Sequence, residues 1–254
     1  MKIHRFIGDF DLNQKELEFK DKEIVNQINK VLKLKEGENI ELSDGKNSNA
    51  LAVIKQLDKN YISVRIEKTW KSEEQIKNNV TLFCAVLKKE NFETVVQKTT
   101  ECGVSCIVPI ISDRTIKTGL NLERLQKIAK EAAEQSGRGS VPEIREPISF
   151  EQSLELADKS NINILFDGSG ELFCKTPWER DGASTRNFSA EKYPCVLENN
   201  SPRTEIWIGP EGGWTPEEIV EAKKLNFKIA TLGPLTLRGE TAAIVATYLV
   251  SNLC

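Results

Sequence analysis

The chain has 254 residues, 39% of them hydrophobic and 29% charged, with a net charge of −3. That is long enough for one large or two modest cores, and no run approaches the roughly 18 apolar residues that span a bilayer. A single histidine, His4, gives little support to Ser-His-Asp hydrolysis or a His-ligated metal, and the six cysteines contain no C-x-x-C pair, so they read as free buried thiols.

Residues 1–75 alternate short β-like runs with turn residues, at 3–7, 40–42 before Asp44-Gly45, 50–57, and 61–66 after Asp58-Lys59-Asn60. This is the pattern of a small β-barrel. Between the first two runs, Ile24, Ile28 and Val31 fall at helical spacing within 21–34, with Gly37 as a stop. The polar stretch 71–79 reads as an interdomain linker, which places the domains at 1–75 and 76–254.

From residue 80 the pattern becomes βα alternation, which predicts an α/β domain with a mostly parallel sheet covered on both faces. Strands are predicted at 81–87, 105–111, 162–166, 205–208 and 227–232. Helices are predicted around Phe92 to Thr99, around Leu122 to Ala132 ending near Gly137, and over 150–157. Thr215-Pro216-Glu217-Glu218 is a capping box with Pro at the first helical position, so a helix starts there. Residues 241–253 are apolar on most sides and need burial, against a partner copy or within the domain core. The stretch 168–203 is rich in Gly, Ser, Pro and charge, with only 193–197 strand-like, and reads as an insertion without an assigned role.

Two apolar runs end in Gly-Pro and open into a loop that feeds a helix: Gly209-Pro210-Glu211-Gly212-Gly213-Trp214, and Leu232-Gly233-Pro234-Leu235-Thr236-Leu237-Arg238 before Gly239-Glu240-Thr241-Ala242. Such bends at the carboxyl edge of a parallel sheet are where α/β folds place ligands, and small residues allow close approach to main-chain polar groups. A ligand is therefore expected against Gly209, Pro210, Glu211, Gly212, Leu232, Gly233, Leu237, Arg238, Thr241 and Ala242. Each loop alone also suits a plain strand-turn-helix corner. Glu211 and Glu240 are the carboxylates available to accept a proton, and Arg238 is the cation available to offset developing charge. Glu211 equally suits a helix start, and Glu240 an ion pair with Arg238.

These motifs resemble those of the RsmE family, 16S ribosomal RNA methyltransferases that modify a uridine at N3. His4-Arg5-Phe6, the segment Lys98 to Val104 with Val108-Pro109, and Glu131 to Arg138 with Val141-Pro142 agree with it, so the resemblance spans nearly the whole chain. It implies a PUA-like β-barrel followed by a SPOUT domain whose trefoil knot holds S-adenosyl-L-methionine. It further implies a homodimer acting on the small ribosomal subunit. Two positions depart from the family's pattern, Leu235 where Arg is common and Gly239 where Thr is common, and Gly239 is expected to loosen the turn into the last helix. Other SPOUT targets, such as ribose O2′, and a non-catalytic RNA-binding scaffold in ribosome assembly are the competing readings.

Charge distribution bears on the RNA surface. Residues 1–80 carry 15 basic and 14 acidic side chains, 81–140 carry 9 and 7, and 141–254 carry 11 and 17. This mild gradient, which ordinary surface charge also produces, directs RNA contacts to the first 140 residues. The candidates are Arg5, Lys88, Lys89, Lys98, Arg114 and Arg138, with Arg138 favoured by its place between two glycines after a helix. No metal and no membrane is expected to be involved, and the expected compartment is the cytoplasm.

Overall fold

The computed structural model describes residues 3–72, 79–116, 119–173 and 203–252. The chain divides into two compact units: Met1–Gln75 with Lys130–Val141, and Ile76–Ala129 with Pro142–Cys254. The strand-like run at 193–197 and the thiols of Cys174, Cys195 and Cys254 lie outside the described residues.

The first unit is a five-stranded sheet ordered β1-β3-β4-β5-β2, from β1 (His4–Ile7), β2 (Glu16–Phe19), β3 (Asn39–Ser43), β4 (Ser48–Leu57) and β5 (Ile62–Lys71). The pairing of β1 with β3 is parallel and the remainder antiparallel. Register shifts in the β4–β5 ladder bend the sheet, as an extra residue on one strand does. Its inner face packs Phe6, Phe19, Leu42, Ile54 and Val64 against Ile24 and Ile28. The helix predicted over 21–34 begins as α1 (Lys22–Asn26), capped by the Asp21 carboxylate, and continues as a π-helical stretch, Gln27–Leu32. It stops at Lys33, in the left-handed conformation at φ 53°, and not at Gly37. Strand β2 was not expected, although Glu16-Leu17-Glu18-Phe19 alternates exposed and buried residues.

The segment 130–141 joins this unit through specific bonds. Glu134 Oε1 accepts from the Ile7 amide at 2.7 Å, Arg5 Nη1 donates to the Gly137 carbonyl at 3.1 Å, and the Asn47 amide donates to the Gly139 carbonyl at 2.8 Å. Gly139 has no room for a side chain, because a Cβ there would lie 2.5 Å from Ser72 Oγ.

The second unit is a parallel sheet ordered β12-β10-β11-β6-β7-β8, with the short β9 (Ile148–Ser149) also on β7. Its strands are β6 (Asn79–Ala85), β7 (Cys106–Ile111), β8 (Glu143–Ile144), β10 (Ile162–Leu172), β11 (Arg203–Ile208) and β12 (Lys228–Thr231). Helices α4 (Phe150–Leu156) and α5 (Pro216–Lys224) cover one face through a cluster centred on Trp207. That indole stacks on Phe83 at 4.3 Å, meets Phe227 edge-on, and donates Nε1–H to Ser153 Oγ at 3.0 Å. Helix α6 (Gly239–Asn252) packs on α2 (Lys89–Cys102), β6 and β11. Helix α3 (Leu122–Ser136) follows β7 and ends at Gly137, at φ 73°.

Strand β10 runs six residues beyond its predicted end, into the expected insertion. A register shift between Phe166 and Glu171 keeps it paired with β12, and Gly170 permits this because a Cβ would stand 2.6 Å from the Ala230 backbone.

Glu134 gives a test of the long-range join. Burial raises its pKa above the ordinary 4.5, outweighing the Ile7 amide and the nearby Lys130 and Arg5, which lower it. A carboxyl with a raised folded pKa stabilises the fold in its protonated form, and that contribution is lost as pH rises from about 4.5 through the folded value. Glu134→Gln keeps an acceptor for Ile7 and cannot ionise. Denaturant unfolding across this window should show a decline with pH in the parent that is smaller in the variant; equal slopes would mean the carboxyl is not desolvated.

Candidate functional site

In the second unit, β6 leads through α2 to β7 on one side, whereas β11, its neighbour, leads through α5 to β12 on the other. The carboxyl ends of β6 and β11 therefore form the switch point at which open α/β sheets bind ligands. From the edge strand β12, residues 232–238 return across this end of the sheet, and α6 starts against the residues that follow β6 and β11. At Gly239 a Cβ would lie 2.9 Å from Leu87 Cδ2 and 3.4 Å from the Gly209 carbonyl oxygen. Gly239 is buried at the helix start, packed close to Leu87 and to the Gly209 carbonyl.

The first loop is held from several sides. Pro210 accepts from the Gly213 amide at 2.9 Å, and Gly213 takes φ 69°, a left-handed conformation that suits glycine. Trp214, buried, donates Nε1–H to the Phe166 carbonyl at 3.0 Å and fills the space beside Gly209, where a Cβ would lie 3.1 Å from the indole. Glu218, also buried, closes the capping box of α5: Oε2 accepts from the Thr215 amide at 2.7 Å and Oε1 from the Asp113 amide at 3.1 Å. Arg114 Nη1 donates to the carbonyls of Gly212, at 2.8 Å, and Trp214, at 3.2 Å. Glu211 is exposed, and its Oε1 lies 3.4 Å from the Lys88 amide.

The second loop is more open. Gly233 adopts φ 144°, and a Cβ there would meet nothing within 4 Å. Leu235 is 78% exposed, and Leu237 and Arg238 are exposed beside it. The Arg238 carbonyl accepts from the Ala242 amide at 2.8 Å as α6 begins. Among the described residues no side chain accepts from the amides of Gly239, Glu240 or Thr241, so the first turn of α6 presents unpaired donors and the positive end of its dipole. Glu240 is half-buried, and its Oε2 is buried with no hydrogen-bond partner; no ion pair joins it to Arg238. Cys84, at the end of β6, is fully buried, and burial together with the nearby Glu211 and Glu240 pushes its thiol pKa far up, so it stays protonated and is no nucleophile.

The ten residues expected to line a ligand site thus lie on two loops at one end of the sheet, with Thr241 exposed and Ala242 half-buried in the first turn of α6. Trp214, Glu218 and Leu87 join them. The first two carried a signal in the Gly-Gly-Trp run and the capping box; Leu87 carried none. The residues expected to meet RNA are divided between the two units. Arg5 bonds within the first unit, to Glu41 at 2.9 Å and Asn49 Oδ1 at 2.6 Å. Arg138 is buried there, not presented at the surface, and burial lowers its pKa to about 10. In the second unit Lys98 pairs with Glu101 at 2.8 Å, Lys88 is exposed, Lys89 opens α2, and Arg114 braces the first loop.

Gly209→Val is expected to act on the fold, since its side chain would enter the space of Trp214. Such overpacking costs roughly 1–3 kcal/mol. Denaturant unfolding should show the loss, and unchanged stability would mean that this side of Gly209 is open.

A model of the RNA methyltransferase domain matches residues 73–251, and one of the RNA methyltransferase PUA domain matches residues 21–67. The chain is 32% identical over 223 residues to the ribosomal RNA small subunit methyltransferase E of Rickettsia conorii, covering 87% of this chain and 84% of that protein. It is 34% identical over 185 residues to its namesake from Mesomycoplasma hyopneumoniae, covering 70% and 71%. The fold is similar to that of the Neisseria gonorrhoeae enzyme of this name solved with S-adenosyl methionine, at TM-score 0.82 and 28% identity over 97% of this chain and 95% of that one. A Legionella pneumophila putative methyltransferase, solved with the same cofactor, gives TM-score 0.79 and 28% identity over 98% and 97%. A catalytic domain matched over most of the chain, an N-terminal PUA domain and relatives of one name converge: the chain belongs to the RsmE family of ribosomal RNA small subunit methyltransferases.

Proposed function

We propose that this protein uses S-adenosyl-L-methionine to methylate N3 of a uridine in the 16S ribosomal RNA of the small subunit. The observation that carries the reading is the first turn of α6, with its unpaired amides and the partnerless Glu240 oxygen, six residues after a Gly233 whose side-chain face is open. A ligand with both donors and acceptors satisfies such a set, and exposed Leu235 and Leu237 offer apolar cover for a flat ring. The residues present fit an adenosyl-amino-acid cofactor, which Gly209, Pro210, Gly212, Leu232, Gly233, Leu237, Thr241 and Ala242 would hold. When bound, that cofactor supplies an electrophilic methyl group on a sulfonium.

The protein's own work is positioning and charge control. The uridine imide must lose its N3 proton, which Glu240 or Glu211 accepts, and the charge that spreads to O2 and O4 is offset by exposed Arg238. The target base has to be splayed out to reach the loops, and the N-terminal sheet recruits the surrounding RNA. Membership of the family implies that the C-terminal stretch leading into α6 is tied in the trefoil knot, a reading supported by the seating of Gly239 between Leu87 and Gly209. Helix α6 leaves Tyr248 49% exposed beside half-buried Ile244, Val245 and Leu249, a face suited to a second copy in a homodimer. The assigned substrate places the protein in the cytoplasm. Among the described residues no helix can cross a membrane and no group of three or more His, Cys, Asp or Glu could hold a metal.

Mass spectrometry of nucleosides from 16S ribosomal RNA tests the reaction. A strain lacking this protein should lose N3-methyluridine and regain it on complementation. Intact N3-methyluridine in the deletion strain would reject the assignment.

A further inference from the structure

Arg114 lies 98 residues before Gly212 in the chain, yet its guanidinium meets two carbonyls of the first site loop and its stem packs on that loop, with Cβ 3.2 Å from where a Gly212 side chain would begin. The adjacent Asp113 amide donates to buried Glu218, whose other oxygen holds the Thr215 amide. Ser112 and Thr115 close the Arg114 turn, the Ser112 amide donating to Thr115 Oγ1 and the Thr115 amide to the Ser112 carbonyl, both at 3.0 Å. The turn after β7 is thus clasped to the loop after β11 by a cation on two carbonyls and a carboxylate on two amides.

We propose that Arg114 is a positioning residue for cofactor binding, fixing the Gly212-Gly213 backbone in its receptive form before the ligand arrives. This rests on the assignment of S-adenosyl-L-methionine to the site. Two successive glycines have the greatest backbone freedom of any pair, so ordering them on binding would cost affinity. Arg114 makes that ordering part of the fold. By turning the Gly212 and Trp214 carbonyls onto its own donors, it also leaves the loop to meet a ligand through Glu211 and Gly212. The planar guanidinium suits two acceptors at once, which an ammonium of the same charge does less well. Its exposure means that truncation spares the core.

The test is calorimetry with S-adenosylhomocysteine in the absence of RNA, together with RNA binding at several salt concentrations, on the full chain and its Arg114→Ala and Arg114→Lys variants. Arg114→Ala should weaken S-adenosylhomocysteine about tenfold, as expected for loss of charged hydrogen bonds, with Arg114→Lys intermediate and thermal midpoints near that of the parent. In turnover, KM for the methyl donor should rise while KM for RNA stays unchanged. If Arg114→Ala binds S-adenosylhomocysteine as the parent does, or instead loses RNA affinity and salt dependence, the positioning role is overturned. A parent chain that gives no saturable heat takes down the cofactor assignment itself.

Discussion

The seat of α6 against the carboxyl ends of β6 and β11 is the constraint on which the site depends. At Gly239 the first turn of a helix comes to the switch point of the sheet, where a Cβ would lie 2.9 Å from Leu87 Cδ2 and 3.4 Å from the Gly209 carbonyl oxygen. Unpaired amides at a helix start attract polar and negative groups. The parallel sheet supplies rigidity through a dry cluster around Trp207, so the loops are supported by strands that cannot shift without breaking packed aromatic contacts.

The two loops do different work. The first is fixed by Trp214, which ties it to the Phe166 carbonyl of β10, and by Arg114 and Glu218, which bond to its own backbone and to the cap that follows. The second keeps an open face at Gly233 and exposes two leucines and an arginine. One fixed loop and one open loop suit methyl transfer, where alignment of donor and acceptor supplies much of the rate and little covalent chemistry is asked of the protein.

Much of the fold was legible in the sequence because its signals are local. Apolar runs of parallel-sheet type, the capping box at Thr215 and the Gly-Pro ends of two strands each depend on residues within a few positions of one another. What was not legible depends on distant partners or on very short elements. Nothing near Glu134 announces that it accepts from Ile7, 127 residues earlier, so the return of 130–141 to the first unit left no pattern to read. Arg114 read as an RNA contact because its charge is visible in sequence and its carbonyl partners are not. Gly170 read as part of a loop, whereas the approach of the Ala230 backbone makes it part of a strand. The two-residue strands β8 and β9 exist through pairing with β7 and have no periodicity of their own.

Amide hydrogen exchange with and without S-adenosylhomocysteine tests most directly whether the start of α6 and the two loops form the cofactor site. Binding should slow exchange at Glu211, Gly212, Glu240 and Thr241, amides that have no acceptor among the described residues. Saturable binding that leaves those four unchanged and protects another part of the chain would contradict the account.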